Sequence, residues 1–543
     1  MSNQAEGKTD ELTVRDFDFV RTKLLKREEI AFLDVREEAA HAEGHPLFAA
    51  NFPYSRVELD AYTKMPRLDV PIVIIDGGEG LSEKTALRLQ ELSYSDVAIF
   101  GGGIDSWKAA GGETFIDVNV PSKAFGELVE ATCHTPSLSA QEVKQMLDAE
   151  EDVVIVDVRR FDEYETMSIP NAISVPGAEV VLRVPDLIPN SDTKVVVNCA
   201  GRTRSLVGAQ SLINAGLPNQ IVALRNGTIG WVLAKQKLDT GKDRTYEATS
   251  SSAKQVAVSR ARAVADQSGV KRASRDDLNS WRKQQGRTNY FFDVRSVAEF
   301  EAGHLPSFYP KPGGQLVQET EMHAPVRGAR IVLIDDDRVR ANMTASWLAQ
   351  MAWDVVVVDD LNDSDFLLSG SWEPELPPLP KTRHVTSARL RQWLQNPEEV
   401  VVIDVSTHRE FMSGHIPGSW YLSRAQLASS VKKLPVTPYY ILTSTDGLLA
   451  EFAAAELEQV SNSEVSVLKG GNRAWMESGY EMETGDPNMA SSPIDRYIRP
   501  YEGTQVDPEK MQAYLDWEFG LVEQLARDGT HHFLPISFTQ EQR

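Results

Sequence analysis

The sequence predicts an α/β fold repeated four times, each copy a small, mostly parallel sheet flanked by helices, with a helical extension at the C-terminus. Three observations carry this. An Asp-Val-Arg or Asp-Val-Ser triplet closes an apolar, strand-like run at Asp34, Asp157, Asp293 and Asp404. A Gly-His-Pro-like corner follows each triplet, at Gly44-His45-Pro46, Met167-Ser168-Ile169-Pro170, Gly303-His304-Leu305-Pro306 and Gly414-His415-Ile416-Pro417. A glycine-tryptophan signature then closes three copies, at Gly103 to Trp107, Gly227 to Trp231 and Gly471 to Trp475, and the third copy lacks it. From the first copy to the second, the opening aspartate shifts by 123 residues and the tryptophan by 124; from the second to the fourth the shifts are 247 and 244. Chance resemblance would not stay so nearly in register.

The domains are expected at residues 11–122, 131–240, 253–375 and 381–490. In the second copy, Ser139 followed by Glu142 is a capping box that opens a helix to about Glu150. The apolar runs ending at Val156 and Asn198 read as buried strands, and residues 221–224 as another. A helix from Ser205 should stop at Gly216, where glycine takes the left-handed cap conformation. Strands alternating with helices imply a parallel sheet covered on both faces, with the loops at strand C-termini available for chemistry. Residues 240–252 form a polar linker, residues 253–267 a connecting helix that begins the third unit, and residues 374–380 a proline-rich spacer before the fourth. In the extension, residues 491–543, a helix is expected over 508–527, with Met511, Tyr514, Leu515, Phe519, Val522 and Leu525 at core spacing. It should dock across the domains or on a second subunit and shape an entrance. A homodimer is left open.

Composition narrows the function. The 543 residues carry a net charge of −23, which argues against nucleic acid or an acidic membrane as a partner. No apolar stretch approaches the roughly 20 residues of a membrane helix, and the polar N-terminus shows no secretory signal, so the chain reads as cytoplasmic. Only Cys133 and Cys199 are present, with no zinc spacing and no disulfide framework, and no cofactor is implied.

One segment presents a nucleophile. Asn-Cys-Ala-Gly-Arg-Thr-Arg-Ser at 198–205 follows the run Val195-Val196-Val197 and precedes a helix. Backbone amides from Ala200 to Ser205 and the positive end of the helix would surround Cys199 and favour its thiolate. Gly201 permits close backbone approach. Arg202 is expected at the rim, where it attracts anions. Arg204 either donates to an anionic substrate or fixes loop carbonyls. Thr203 and Ser205 add hydroxyl donors, Ser205 as a helix cap.

On these residues the repeats resemble rhodanese domains over roughly residues 11–490. The resemblance implies a sulfurtransferase: Cys199 takes sulfane sulfur from a small anionic donor such as thiosulfate, becomes a persulfide, and passes the outer sulfur to a thiol or other thiophilic acceptor. In register, Cys199 corresponds to Asp76, Asp335 and Ser444, so three copies lack the nucleophile. The third retains Arg340 at the position of Arg204, where the first and fourth carry Leu81 and Leu449. Two-domain members of the family commonly hold the donor with an arginine where this chain has Glu163, and the loop ends Arg-Thr-Arg-Ser as in small single-domain members. Thiosulfate therefore leads as donor, ahead of glutathione persulfide or polysulfide, with mercaptopyruvate last. His45, His304 and His415 recur only where the cysteine is missing, which marks them as structural, and Asp157 with Arg159 reads as a strand-end ion pair. Cys133 reads as an incidental thiol between domains, with sulfur relay from Cys199 or a disulfide with it as the alternatives. Two rival readings are a cysteine-loop phosphatase, whose loop needs five residues between Cys and Arg where this one has four, and a non-catalytic multi-domain scaffold.

Overall fold

The computed structural model describes residues 12–396, 398–503 and 507–536; the N-terminal stretch read for the absence of a leader lies outside these, as does the end of the extension. Four sheets are built to one plan. In the second, Ser137–Leu138, Ile221–Leu224, Lys194–Asn198, Val153–Asp157 and Ile173–Ser174 lie side by side and all pair in parallel. The third and fourth repeat that order, and the first follows it with an added strand. β-Branched runs fill the central strands, which are buried on both faces, as in Val195, Val196 and Val197.

Register confirms the alignment of the copies. The triplet aspartates 34, 157, 293 and 404 pair across the sheet with Ile75, Asn198, Ile334 and Thr443. Each partner immediately precedes the loop position expected for it: Asp76, Cys199, Asp335 and Ser444. The capping box at Ser139 and Glu142 opens the helix Ala140–Asp148. Gly216 follows the helix Thr203–Asn214 with φ +69°.

The copies are not independent beads. Strand Val326–Arg327 of the third joins the first sheet antiparallel, against Ala31 and Ile30, and one hydrophobic core runs through both domains. Trp347 of the third donates its indole N–H to Ser211 of the second at 2.9 Å. Arg424 of the fourth pairs with Glu58 of the first at 2.6 and 2.8 Å. Helix Val120–Cys133, between the first two domains, packs on Thr203–Asn214 so closely that a Cβ on Gly126 would sit 2.8 Å from the Thr203 methyl carbon. The connecting helix, Ser251–Gln267, lies against helices of the second and third domains.

The extension departs from the single expected helix. It forms Pro508–Phe519 and Leu521–Asp528, divided at Gly520, a residue that weakens a helix interior by about 1 kcal/mol. The first helix buries Met511, Tyr514 and Leu515 against Ala200 and Ile229 of the second domain. Phe519 is exposed, and the second helix packs Leu521 and Leu525 near Val120–Cys133. No described helix is long and apolar enough to cross a membrane.

Candidate active site

Strand Lys194–Asn198 ends at the cysteine loop, and helix Thr203–Asn214 leaves it. A second loop holds the first in place. The Thr228 and Ile229 amides donate to the Cys199 and Ala200 carbonyls at 2.9 and 3.0 Å, and the Thr228 hydroxyl donates to the Ala200 carbonyl. Those carbonyls are thereby tied to the second loop rather than turned toward the sulfur. This explains the glycine of the closing signature. Gly227 has φ +52°, and a Cβ there would lie 2.3 Å from the Cys199 carbonyl oxygen. Gly103 and Gly471 stand the same way, with positive φ, 2.6 Å from the Asp76 and 2.1 Å from the Ser444 carbonyl oxygen.

The four loops share one cradle and differ in the atom it holds. In the second copy, Ser205 lies near enough to Cys199 for its amide and hydroxyl to pull the thiol down. In the first, the Asp76 carboxylate accepts from the Gly78, Leu81 and Ser82 amides at 3.0, 2.8 and 2.9 Å. In the third, Asp335 accepts from Arg338 and Ala341, both at 2.8 Å. In the fourth, the Ser444 hydroxyl accepts from Gly447 and Ala450 at 3.1 and 3.4 Å. The amide six residues on is the common donor throughout. Three copies thus spend it on their own oxygen.

Several side chains lie elsewhere than expected. Arg202 is not at the rim. It is buried, with its guanidinium on Glu127 at 2.8 and 2.9 Å, on Glu130, on Asn226, and 4.2 Å from the Phe519 ring. In this acidic chain, carboxylates of the neighbouring helix take a cation that would otherwise reach solvent. Arg204 donates to no loop carbonyl among the described residues. Both its terminal nitrogens donate to Glu163, at 2.7 and 2.9 Å, in a bidentate pair. Arg340 and Glu299 repeat that pair in the third copy, at 2.7 and 3.0 Å. Its recurrence around Asp335 identifies it as an architectural pair that sets a positive charge near the loop. Ser205 does not cap the helix: its hydroxyl donates to the Arg202 carbonyl at 2.8 Å. The Thr203 hydroxyl is buried without a partner, and Gly201 lies under the extension, where a Cβ would sit 3.3 Å from Tyr514 and 3.4 Å from Glu518.

Electrostatics also differ from the simple picture. Cys199 is 1% exposed. Burial pushes its thiol above the ordinary range, against the pull of Arg204 and Ser205, which works against the expected thiolate. Burial is due to a lid. Tyr501, Tyr514 and Glu518 of the extension, Lys123 of the inter-domain helix and Gln318 of the third domain close over the loop. They leave a cavity of about 20 Å³ beside the sulfur, room for roughly one water-sized group. Lys123 is buried, pairs with Asp117 at 2.7 Å, and lies 5.2 to 5.9 Å from the rings of Tyr501, Tyr514 and Trp517. On the far side of Arg204, Gln318 and Tyr501 lies a larger cleft of about 670 Å³, walled by all four domains and the extension.

The recurring motifs are structural. Asp157 accepts from the Arg159 backbone and guanidinium, which also reaches the Met167 carbonyl at 2.6 Å, and Asp34–Arg36 and Asp293–Arg295 do the same. His45, Ser168, His304 and His415 occupy one place in an isolated bridge, and the three histidine rings bond backbone carbonyls. Cys133 donates to the Ile536 carbonyl at 3.3 Å. It stands ten residues, about 15 Å of helix, from Lys123. No described group of His, Cys, Asp or Glu could hold a metal ion.

Sequence reasoning missed Lys123, Glu127, Gln318, Tyr501 and Glu518. The buried stripe of the extension was visible, but not which surface it covers.

Comparisons with known proteins agree with this architecture. The rhodanese-like domain model matches residues 21–110, 139–234 and 386–478, which are the first, second and fourth copies. A crystal structure of a thiosulfate sulfurtransferase from Pseudomonas aeruginosa is 54% identical, covering 97% of this chain and 100% of that one, with a TM-score of 0.95. The thiosulfate sulfurtransferase GlpE of Pseudoalteromonas translucida is 30% identical over 98 residues, 18% of this chain and 91% of that protein. A sulfurtransferase of Allochromatium vinosum is 29% identical over 94 residues, 17% of this chain and 85% of its own length. Both the sequence matches and the fold therefore lead to one assignment: the chain belongs to the rhodanese-like family.

Proposed function

We infer that this sulfurtransferase moves sulfane sulfur from a small anionic donor, thiosulfate foremost, to a thiol or other thiophilic acceptor through a persulfide on Cys199 of the second domain. One observation carries the reading: of four superimposable cradles, only this one holds a sulfur where the others hold their own carboxylate or hydroxyl oxygen. The Ser205 amide beside that sulfur stabilises negative charge on it. The nearby Arg204 guanidinium, fixed by Glu163, adds a field of the same sign without being free to leave. The four-residue spacing between Cys199 and Arg204 keeps the ring small, which suits a sulfur atom better than a phosphoryl group. The domain division at 11–122, 131–240, 253–375, 381–490 and 491–543 assigns chemistry to the second unit and support to the rest.

Thiosulfate is larger than the cavity, but Arg204, Gln318 and Tyr501 line both that cavity and the larger cleft, so the donor approaches from the cleft with the extension in place. Attack by the sulfur on the donor's outer sulfur releases sulfite and leaves Cys199–S–S⁻. Intact-mass measurement after incubation with thiosulfate, polysulfide or mercaptopyruvate tests this. The expected result is a gain of one sulfur located on Cys199 and lost on addition of a thiol, with no gain in a folded Cys199→Ser variant. A serine variant that still transfers sulfur refutes the assignment.

A further inference from the structure

Glu518 stands out among buried groups that the fold does not explain. It belongs to the extension, is 1% exposed, and accepts from the Tyr514 hydroxyl through Oε1 at 2.8 Å. Its other oxygen, Oε2, is buried without any hydrogen-bond partner. That oxygen lies over Gly201, and Glu518 lines the cavity that holds the Cys199 sulfur. A carboxyl group buried for structure alone is normally hydrogen-bonded at both oxygens, because an orphaned buried polar atom costs free energy even when the group is neutral. A thiol, moreover, must lose its proton before it can attack.

We propose that Glu518 is the proton shuttle for Cys199, supplied to the second domain by the C-terminal extension, with Oε2 taking the thiol proton as the sulfur attacks. This rests on the persulfide reading. In the first half-reaction the Cys199 thiol, the Glu518 carboxylate and thiosulfate give Cys199–S–S⁻, sulfite and the Glu518 acid. The proton goes to Oε2, and the donor's S–S bond breaks as the new one forms. In the second half, an acceptor thiolate attacks the outer sulfur and leaves as its persulfide anion; the released Cys199 thiolate regains the proton from Glu518. The carboxylate returns to its starting form, and no oxidant or reductant is consumed.

The surroundings suit the task. Burial first, then the charge of Glu127, pushes the Glu518 carboxyl up to about 8, against the pull of Lys123, the Tyr514 hydroxyl and Arg202. Those groups, with Cys199, Arg204 and Tyr501, are the titratable and charged neighbours contributed by the inter-domain helix, the cysteine loop and the extension. A proton carrier works best when its affinity lies near the working pH and near that of its partner.

The test measures the rate of sulfur loading from thiosulfate, by rapid quench and intact mass, between pH 6 and 10. Wild type should rise through an inflection near pH 8. Glu518→Gln, which preserves the shape and an acceptor for Tyr514, should load about a hundredfold more slowly at pH 7.5. Its rate should climb without that inflection, reaching complete loading of Cys199 at high pH. Tyr514→Phe keeps the ring and removes the donor to Oε1, so the inflection should move to higher pH; this second variant carries the test if the glutamine protein is unstable. A Glu518→Gln protein with wild-type rate and inflection, or an unmoved inflection in Tyr514→Phe, overturns the shuttle while the persulfide reading stands. Wild type that never gains sulfur overturns both.

Discussion

Replacing Glu163 by glutamine isolates what the Arg204 pair contributes. Arg204, with Arg159 and Arg160, holds the Glu163 carboxyl at about 2 against an ordinary 4.5, although burial works the other way. Because the Glu163 side chain is only 22% exposed, solvent screens the pair weakly, and a displacement of that size corresponds to about 3 kcal/mol of stabilisation at neutral pH. The folded-state value is depressed, so the contribution is complete above about pH 4.5 and drains away as pH falls toward 2. Urea midpoints for wild type and Glu163→Gln should therefore differ by a constant 2 to 3 kcal/mol equivalent, roughly, from pH 7 to 5, and converge below 4.5. Glu299→Gln, which breaks the sister pair with Arg340, should show the same pH signature at smaller amplitude, since the Glu299 side chain is 36% exposed and also caps its own helix. A pH-independent gap in Glu163→Gln, or none, would refute the claim that Arg204 is anchored by charge.

Two further outcomes follow from the cradle. Gly227→Ala places a methyl within 2.3 Å of the Cys199 carbonyl at a left-handed backbone position; it should lower the unfolding midpoint by at least about 1 to 3 kcal/mol equivalent and slow sulfur loading. Asp76→Asn, Asp335→Asn and Ser444→Ala should leave loading of Cys199 within about twofold of wild type, checked by the same mass assay, because each changes an oxygen in a cradle where no nucleophile sits.

Much of the fold is legible in the sequence because repetition makes weak signals add. A lone Asp-Val-Arg means little, but four at the ends of apolar runs, each followed by a corner, fix the register of strands that proves identical in all four sheets. The cysteine loop is legible for the same reason: its three siblings show which position matters by what they substitute there. Side-chain destinations are less so. Arg202 and Arg204 look alike on a loop, and only the third dimension shows Glu127 and Glu130 arriving from another helix and Glu163 from the short helix after the triplet. Nothing local in the string announces that Glu518, more than three hundred residues downstream, lies over Gly201.

The placement of that lid bears on why three domains without a nucleophile persist. The second domain's sulfur is enclosed by Lys123 from the helix after the first domain, by Gln318 from the third, and by Tyr501, Tyr514 and Glu518 from beyond the fourth. Arg202, three residues after the sulfur-bearing Cys199, is neutralised by Glu127 and Glu130 of that same inter-domain helix. The third domain is tied to the first by a shared sheet and core, and the fourth to the first through Arg424 and Glu58. A change in one unit's packing therefore reaches the sulfur through covering groups rather than through the loop itself. The second domain carries Cys199, and the rest of the chain supplies the walls that bury it, the same burial that pushes its thiol above the ordinary range.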